Sequence, residues 1–541
     1  MIEEEIKKII IKVIGREVGK VLVSERADFG SYSSNAPFLL AKELKQSPES
    51  IAKELAGKIA SADNGKLFSK VEAVTGYVNF FIAPSVLAEK VANIATKKYP
   101  FKIKKQKINL EFVSANPTGP LTMANGRGGF LGDVLANVLE FVGHKVTREY
   151  YINDAGNQIR LLGESILAES GNKPKKEEYY QGGYVKDLVK VMQKDPSTML
   201  RASKKDPEKI GRSAANFLLK EIQTSLKSVG INFNVWYSEF DNLRGGSPSK
   251  GSGLINKMLK ILEKKNLLIK KEGAKWLKSS EIADEKDRVL VKSDGQPTYF
   301  LVDMAYHYDK FIKRKFDKAI DIWGADHHGY VARLKSGVKA MGIEPDKLKI
   351  IITQLVRLIE GGKEVRMSKR KGEFITLDEL IGEVGADAAR FFFLMNTPDT
   401  HMDFDLALAK ERSVKNPVYY VQYAYVRTYS ILEKSKSQTS NFQQIKISKL
   451  QKLQSESELS LLNELIKFPY MMRQTSEDYQ VNRLARYAAE IARALHNFYE
   501  KERVIGEQKE IMEARLALVA ATKIILEKLF KILGISAPEK M

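Results

Sequence analysis

Residues 108–128 read Ile-Asn-Leu-Glu-Phe-Val-Ser-Ala-Asn-Pro-Thr-Gly-Pro-Leu-Thr-Met-Ala-Asn-Gly-Arg-Gly. The run from Ile108 to Val113 has the make-up of a short apolar strand, and it enters a turn rich in proline and glycine. Leu131, Val134, Leu135, Val138 and Leu139 then recur at the spacing of one helical face. Strand, glycine-rich turn and helix together present backbone N–H groups at a helix start to an anion. Thr118, Thr122, Asn125 and the backbone around Gly126 are candidate hydrogen-bond donors to a triphosphate. Arg127 is either cationic support for it or a residue of the helix face.

Outward from this turn, the chain of 541 residues is too long for one core, and about three or four domains are expected. The apolar fraction of 43% and charged fraction of 29% fit a globular protein. Cysteine is absent, which excludes disulfides, thiol catalysis and cysteine-bound zinc. The net charge of +21 points to a polyanionic partner, nucleic acid before membrane, because no basic amphipathic anchor stands out. The N-terminal residues lack a signal-peptide pattern, and no apolar run approaches the ~18–20 residues of a membrane span, so cytoplasmic residence is expected.

The pattern along the chain predicts a multidomain α/β protein. Residues 1–103 alternate helical patterns (1–13, 37–44 and 50–61) with strands at 70–74 and 77–82, as a small N-terminal α/β domain. Residues 104–345 alternate strands and helices as a Rossmann-like, doubly wound domain, with a polar, lysine-rich insertion around 170–250. A strand at 350–358, a Gly-Gly turn and a helical connector fill 346–402. From 403 to 541 the chain reads as all helix, with apolar periodicity at 450–465 and 514–533 and a flexible loop at 434–451.

Three further segments carry chemistry. Residues 361–372, Gly-Gly-Lys-Glu-Val-Arg-Met-Ser-Lys-Arg-Lys-Gly, hold five cations between glycines and can set a lysine on phosphates. Residues 320–330, Ile-Asp-Ile-Trp-Gly-Ala-Asp-His-His-Gly-Tyr, end a strand at Gly324 and start a helix near Tyr330, where ligands of such sheets bind. Asp326 could accept ribose hydroxyls or cap that helix; no third ligand accompanies the histidine pair, so no metal is expected. Tyr299 and Asp303 are four apart, and an acid beside an aromatic ring on one helix face suits a guanidinium or ammonium.

The turn at 111–125 and the basic loop resemble the paired HIGH and KMSKS signatures of class I aminoacyl-tRNA synthetases. The wording narrows the resemblance to the arginyl-tRNA synthetase family. It is carried by Glu-Phe-Val-Ser-Ala-Asn-Pro-Thr-Gly-Pro-Leu at 111–121 and Thr-Arg-Glu-Tyr-Tyr-Ile-Asn-Asp-Ala-Gly-Asn-Gln-Ile at 147–159. Asp-Arg-Val-Leu-Val-Lys-Ser-Asp-Gly at 287–295, Asp-Ala-Ala-Arg-Phe-Phe-Phe at 387–393, Ser-Ala-Pro-Glu at 536–539 and Gly-Tyr-Val-Asn-Phe at 76–80 add to it.

This resemblance implies ATP-dependent ligation of L-arginine to tRNA(Arg) through arginyl-adenylate, with Mg²⁺ accompanying ATP, by a monomer. It implies that Glu111, Ser114, Asn116, Tyr299, Asp303 and His327 bind arginine. Thr118, Gly119, Ala124, Gly126, Gly324, Asp326, Met367 and Ser368 would bind ATP. Thr122, Asn125, Arg366 and Lys369 would act on the phosphates, Lys369 as the second signature lysine and Arg366 in place of the first. The basic loop would belong to a connector that touches the tRNA stem. The N-terminal residues Tyr77 and Asn79, and Tyr423 and Arg427 of a helical anticodon-binding domain, would contact tRNA.

One segment departs from the family. Where the first signature reads His-x-Gly-His, this chain has Thr122-Met123-Ala124-Asn125. Loss of one transition-state donor costs about 10²–10³ in rate. Thr and Asn still donate to phosphate oxygens, and Thr-x-Gly-Asn resembles the form found in many tryptophanyl-tRNA synthetases. An active ligase is the expectation; the alternative is a catalytically impaired, tRNA-binding paralogue.

Overall fold

The computed structural model describes residues 1–24, 29–96, 101, 103–194, 206–246, 253–365, 375–436 and 445–541. They form two compact units, Ile103–Arg412 and a second made of Met1–Lys102 together with Ser413–Met541.

The unit Ile103–Arg412 is built on five parallel strands: β1 (Lys107–Glu111), β2 (Lys145–Ile152), β3 (Val235–Ser238), β4 (Lys318–Gly324) and β5 (Leu348–Thr353), ordered β5-β4-β1-β2-β3. The chain winds outward from β1 in one direction through β2 and β3, then returns to β1's other side with β4 and β5. The order therefore reverses between β1 and β4, and a crevice opens at their carboxyl ends. Helix α1 (Met123–Val142) follows β1 and buries the apolar face read from the sequence. Gly132 belongs to that face because a Cβ there would stand 2.3 Å from the Phe112 ring.

Three helices, α2 (Asn157–Glu169), α3 (Gly183–Lys194) and α4 (Pro207–Ser228), close around their own apolar core. Gly163 and Gly211 let α2 and α4 touch backbone to backbone; a Cβ on either would fall within 2 Å of a carbonyl oxygen of the other. The segment 170–250 is thus helical as expected, but it also contains β3, a strand of the central sheet. Four residues with alternating burial are too short a signal to separate from the polar run around them.

The strand expected at 350–358 is two strands, β5 and Val356–Glu360, broken at Gln354–Leu355. Val356–Glu360 pairs with Lys363–Val365 and, in parallel, with Met402–Asp405. Residues 402–412 therefore belong to this unit, and the C-terminal helices begin at Pro417.

In the other unit, a four-stranded antiparallel sheet carries three of the helices of residues 1–96, and the C-terminal residues are helical as expected. The run 450–465 is split between Ile447–Leu450 and Glu456–Ile466. The loop expected at 434–451 is helix at both ends, since Pro417–Ser435 extends into it; residues 437–444 lie outside the described residues. Helix Pro84–Thr96 packs on Glu456–Ile466 and Lys509–Leu533, so the two chain ends, read as separate domains, share one body.

Candidate active site

The crevice starts where β1 leaves the sheet. Val113 and Ser114 have φ of 65° and 38°, a left-handed backbone that a β-branched residue adopts only under strain. The Ser114 N–H reaches back to the Phe112 carbonyl at 2.9 Å. This tight reversal folds the Ser114 hydroxyl under the strand end. It donates to Glu111 Oε1 at 3.1 Å and accepts from the Tyr151 N–H at 3.0 Å. Asn116 donates through Nδ2 to Gln158 Oε1 at 2.6 Å. Thr118 is buried, and its side chain hydrogen-bonds Tyr180; Gly119 lies against the Tyr184 ring. The start of α3 thereby covers this part of the turn.

Thr122 is the residue before the first turn of α1. Asn125 Oδ1 accepts from the Thr122 N–H at 2.9 Å and from its hydroxyl at 2.8 Å, a capping box. The Thr122 hydroxyl proton is thus committed, and Asn125 Nδ2 is the side-chain donor left to a ligand. Ala124 is exposed on the first turn. Gly126 is buried instead, with Leu377 Cδ1 2.8 Å from where a Cβ would stand, so its side serves packing. Arg127 is neither a phosphate ligand nor an open helix face. It is 2% exposed, and its guanidinium donates to the carbonyls of Gln354, Thr397 and Thr400, each at 2.8 Å.

Arg366, Met367, Ser368 and Lys369 lie outside the described residues. Their neighbours are pinned to the turn. Met123 N–H donates to the Ile375 carbonyl at 3.0 Å, and Leu377 N–H to the Leu121 carbonyl at 2.9 Å.

Across the crevice, β4 ends at Gly324 and runs through the 3₁₀ turn Ala325–Tyr330 into helix Val331–Ala340. Asp326 and His327 are exposed there, 3.5 Å apart, and the His327 ring lies beside Trp323. Asp326 does not cap the helix. Behind them stands helix α5 (Tyr299–Tyr308), with Tyr299 65% exposed at its start and Asp303 one turn later. Asp303 Oδ2 accepts from the Tyr330 hydroxyl at 2.6 Å. Burial, with Glu111 and Glu239 nearby, pushes the Asp303 carboxyl up to about 7 against the lowering effect of Tyr330 and His307.

Sequence reading missed three residues here. Glu239, just past the end of β3, accepts from the Tyr151 hydroxyl at 2.8 Å and from Arg244 Nε at 2.7 Å. Tyr151 touches Ser114 through its backbone and Glu239 through its side chain, so it ties the two ends of an acidic pocket. Lys310 bridges Glu111 at 2.6 Å and Asp321 at 2.8 Å. The position of Glu239 at a strand's carboxyl end was the available signal, lost because β3 read as insertion.

In the other unit, Tyr77 is 39% exposed and lies against Phe38 at 4.9 Å, whereas Asn79 is buried, so Tyr77 is the member of that pair that offers a surface. Tyr423 and Arg427 line a cavity of about 490 Å³ with Lys434, Tyr499 and Arg503. The Arg427 guanidinium sits 4.9 Å from the Tyr423 ring and 4.6 Å from the Tyr499 ring, and Nη1 bonds His496 Nδ1 at 2.7 Å. Burial and Arg427 push His496 down to about 4, so it is neutral and accepts that bond.

Among the described residues, no group of three or more acidic or histidine side chains could hold a metal ion. Nor is any helix among them long and apolar enough to cross a membrane.

A five-stranded parallel sheet whose order reverses between β1 and β4 is a doubly wound α/β architecture, whose ligands bind beyond the strands' carboxyl ends. Residues 85–408 match the class I tRNA synthetase catalytic domain of the arginine type, residues 1–82 the arginyl-tRNA synthetase N-terminal domain, and residues 421–541 the DALR anticodon-binding domain. The chain is 42% identical to an arginine–tRNA ligase of Carboxydothermus hydrogenoformans, over 95% of this chain and 92% of the relative. It is 39% identical to that of Thermotoga maritima, over 100% and 99%. The fold matches the Thermus thermophilus arginyl-tRNA synthetase with a TM-score of 0.81 at 21% identity, over the whole of both chains. The chain belongs to the arginyl-tRNA synthetase family.

Proposed function

We propose that this protein activates L-arginine with ATP and transfers it to tRNA(Arg), and that the crevice between β1 and β4 is where both steps occur. The observation that carries this reading is the acidic pocket of Asp303, Glu239 and Glu111 beside the anion-ready start of α1, within a chain of this family. The guanidinium is held by Asp303, with Tyr299 at its face and Glu239 as a second carboxylate. Lysine cannot satisfy that planar, forked geometry and is rejected. Glu111, Ser114 and Asn116 hold the α-amino end, which leaves the arginine carboxylate pointing toward the phosphates.

A carboxylate oxygen of arginine attacks the α-phosphorus of ATP. The bond from that phosphorus to the bridging oxygen breaks, and pyrophosphate leaves with Mg²⁺ as its counter-ion. Positioning and charge stabilisation supply the catalysis. Asn125 Nδ2 and the backbone at the start of α1 meet the phosphates, with the Thr118–Ala124 turn as their floor. The adenosine lies along Gly324 and Asp326, with His327 on the arginine side of it. Lys369 and Arg366 neutralise the leaving pyrophosphate. The ribose 2′-hydroxyl of the terminal adenosine of tRNA then attacks the acyl carbon, and AMP departs.

Tyr77 and the Tyr423–Arg427 cavity contact tRNA, their rings stacking on unpaired bases. The chain acts as a monomer in the cytoplasm. Incubation with tRNA, ATP, Mg²⁺ and arginine should yield arginyl-tRNA and pyrophosphate. Binding of tRNA without charging at any pH would instead establish the impaired paralogue.

A further inference from the structure

The register of the central sheet places three carboxylates side by side. Asp321 of β4 pairs with Glu111 of β1, and Glu111 pairs with Glu149 of β2, all on one face. Strands in register lie about 4.8 Å apart, and like charges directly opposite repel. Asp321 and Glu149 are fully buried and Glu111 is 7% exposed. What covers them is α5 and the π-helical turn Asp309–Lys313 that continues it. Helix α5 brings Tyr306 and His307, and the π-helical turn Lys310 and Arg314, onto the face that meets the row; π-turns of this kind recur at functional sites.

The partners are shared unequally. Asp321 accepts from Lys310 and bonds His307 Nε2 at 2.9 Å. Glu149 accepts from Tyr306 at 2.6 Å and from both Nη atoms of Arg314, which is also paired with Asp309 at 2.7 Å. Glu111 has Lys310 and the Ser114 hydroxyl. Other charged groups near the row are Lys313, which faces Asp309 at 3.5 Å; Asp303, whose carbonyl bonds His307 Nδ1 at 2.8 Å and whose carboxyl lies near Glu111; and Glu239, held by Tyr151 and Arg244.

We propose that Lys310 is a positioning residue for arginine activation: it keeps Glu111 ionised within the carboxylate row and aimed at Ser114, so that Asp303 and not Glu111 sets the acid limit of arginine binding. The inference rests on the reading of Glu111 and Ser114 as ligands of arginine. Without Lys310, Asp321 keeps His307 and Glu149 keeps Arg314 and Tyr306. Glu111 keeps one hydroxyl and two anionic neighbours, so it takes up the proton. The electrostatics agree in direction. Burial, with Asp321 and Glu149 adding to it, holds Glu111 above the ordinary carboxylate range, and Lys310 is the largest influence pulling it back down. Burial also acts to raise Asp321, yet Lys310 and His307 hold it down to about 2. Burial alone would discharge Lys310, but the carboxylates around it keep it a cation.

The test is Lys310→Met, with Lys310→Gln as a second neutral variant that keeps a donor, each checked for folding by thermal melting. At about pH 7.5 the infrared spectrum of either should gain the C=O stretch of a protonated carboxyl, and that band should vanish when Glu111→Gln is added. The pH profile of the arginine KM should move its acid limb up by about one unit or more, with kcat at high pH within about twofold of wild type. No new band, a band that survives Glu111→Gln, or a parallel fall of kcat at every pH with an unmoved limb would overturn the proposal. Glu111→Gln alone separates the two readings. An unchanged arginine KM there removes Glu111 from the arginine site, whereas the infrared band still reports what Lys310 does.

Discussion

Asp303, which we propose holds the arginine guanidinium, is set against the fold that carries it. Its carboxyl is raised from 3.8 to about 7, burial being the largest cause. The folded chain therefore prefers it protonated, while a guanidinium prefers it ionised. Arginine binding should release a proton near neutrality, and the arginine KM should rise as pH falls below about 7. The stability sign is the opposite of a salt-bridged acid. The ionised group costs stability above pH 7, and that cost fades as pH falls through the window toward 3.8. Asp303→Asn should thus melt higher than wild type at pH 8, by at most about 4 kcal/mol, with the gap closing near pH 4, while losing arginine binding. Calorimetry at the two pH values reads the sign.

At the same scale, Asn125 is the surviving donor of the altered turn. Asn125→Ala removes both its Nδ2 and the acceptor of the capping box. Arginine-dependent ATP–pyrophosphate exchange should fall about 10²-fold, with tRNA affinity near wild type. Unchanged exchange would remove Asn125 from the phosphates. Thr122 and Asn125 were legible as candidates by their place in the signature. Their mutual hydrogen bonds were not, because an Asn three residues after a Thr is as compatible with two free donors as with a capping box.

Among the elements, helix α1 is held at its first turn by Arg127. The guanidinium fills four donors with backbone carbonyls of two separate segments, 354–355 and 397–400. The first segment is the break between β5 and Val356–Glu360, which leads to the basic loop; the second follows helix Ala386–Leu394. Arg127→Met should take the guanidinium donor from the Gln354 and Thr400 carbonyls, while Leu355 and Thr397 keep the N–H groups of Met402 and Thr400, and should cost about 1–3 kcal/mol. Limited proteolysis of the variant should cut near 354–400 before other sites. Unaltered melting would show that the carbonyls find other donors. Strand β1 and helix α1 were legible because one is a short apolar run closed by a Pro/Gly turn and the other repeats along a helical face. The break at Gln354–Leu355 was not, since an apolar run has one appearance whether it pairs on one line or two.

For the molecule as a whole, the unit formed by the two chain ends depends on contacts between residues hundreds of positions apart. Lys528 Nζ donates to the last-turn carbonyls of Ile94 at 2.6 Å and Ala95 at 3.2 Å, and Ser31 donates to Asn463 at 2.5 Å. Arg473 faces Glu3 and Glu4 at 3.2 Å and 3.1 Å. Lysine at a helix C-terminus satisfies orphan carbonyls and favours the dipole. Burial lowers the pKa of Lys528, and its bonds are to neutral carbonyls. Lys528→Met should destabilise this unit by about 1–2 kcal/mol without changing exchange at the other unit's crevice. A matching loss in pyrophosphate exchange would contradict this expectation.

What the sequence determined by itself was local or repeated in pattern: the glycine- and proline-rich turn after β1, the helix that follows it, the Tyr299–Asp303 pair one turn apart, and the family, written in long ordered motifs. These depend on neighbours along the chain, where spacing and residue type suffice. Only the tertiary structure decided the rest. It joined the two chain ends, made Arg127 a clamp rather than a phosphate ligand, buried Asn79, and drew Val235–Ser238 into the sheet so that Glu239 reached Tyr151. Above all, strand register set Asp321, Glu111 and Glu149 in one row under Lys310. Register arises from pairing between distant strands, so three acids 210 positions apart at the extremes (321 − 111) carry no mark in the sequence that they share one field.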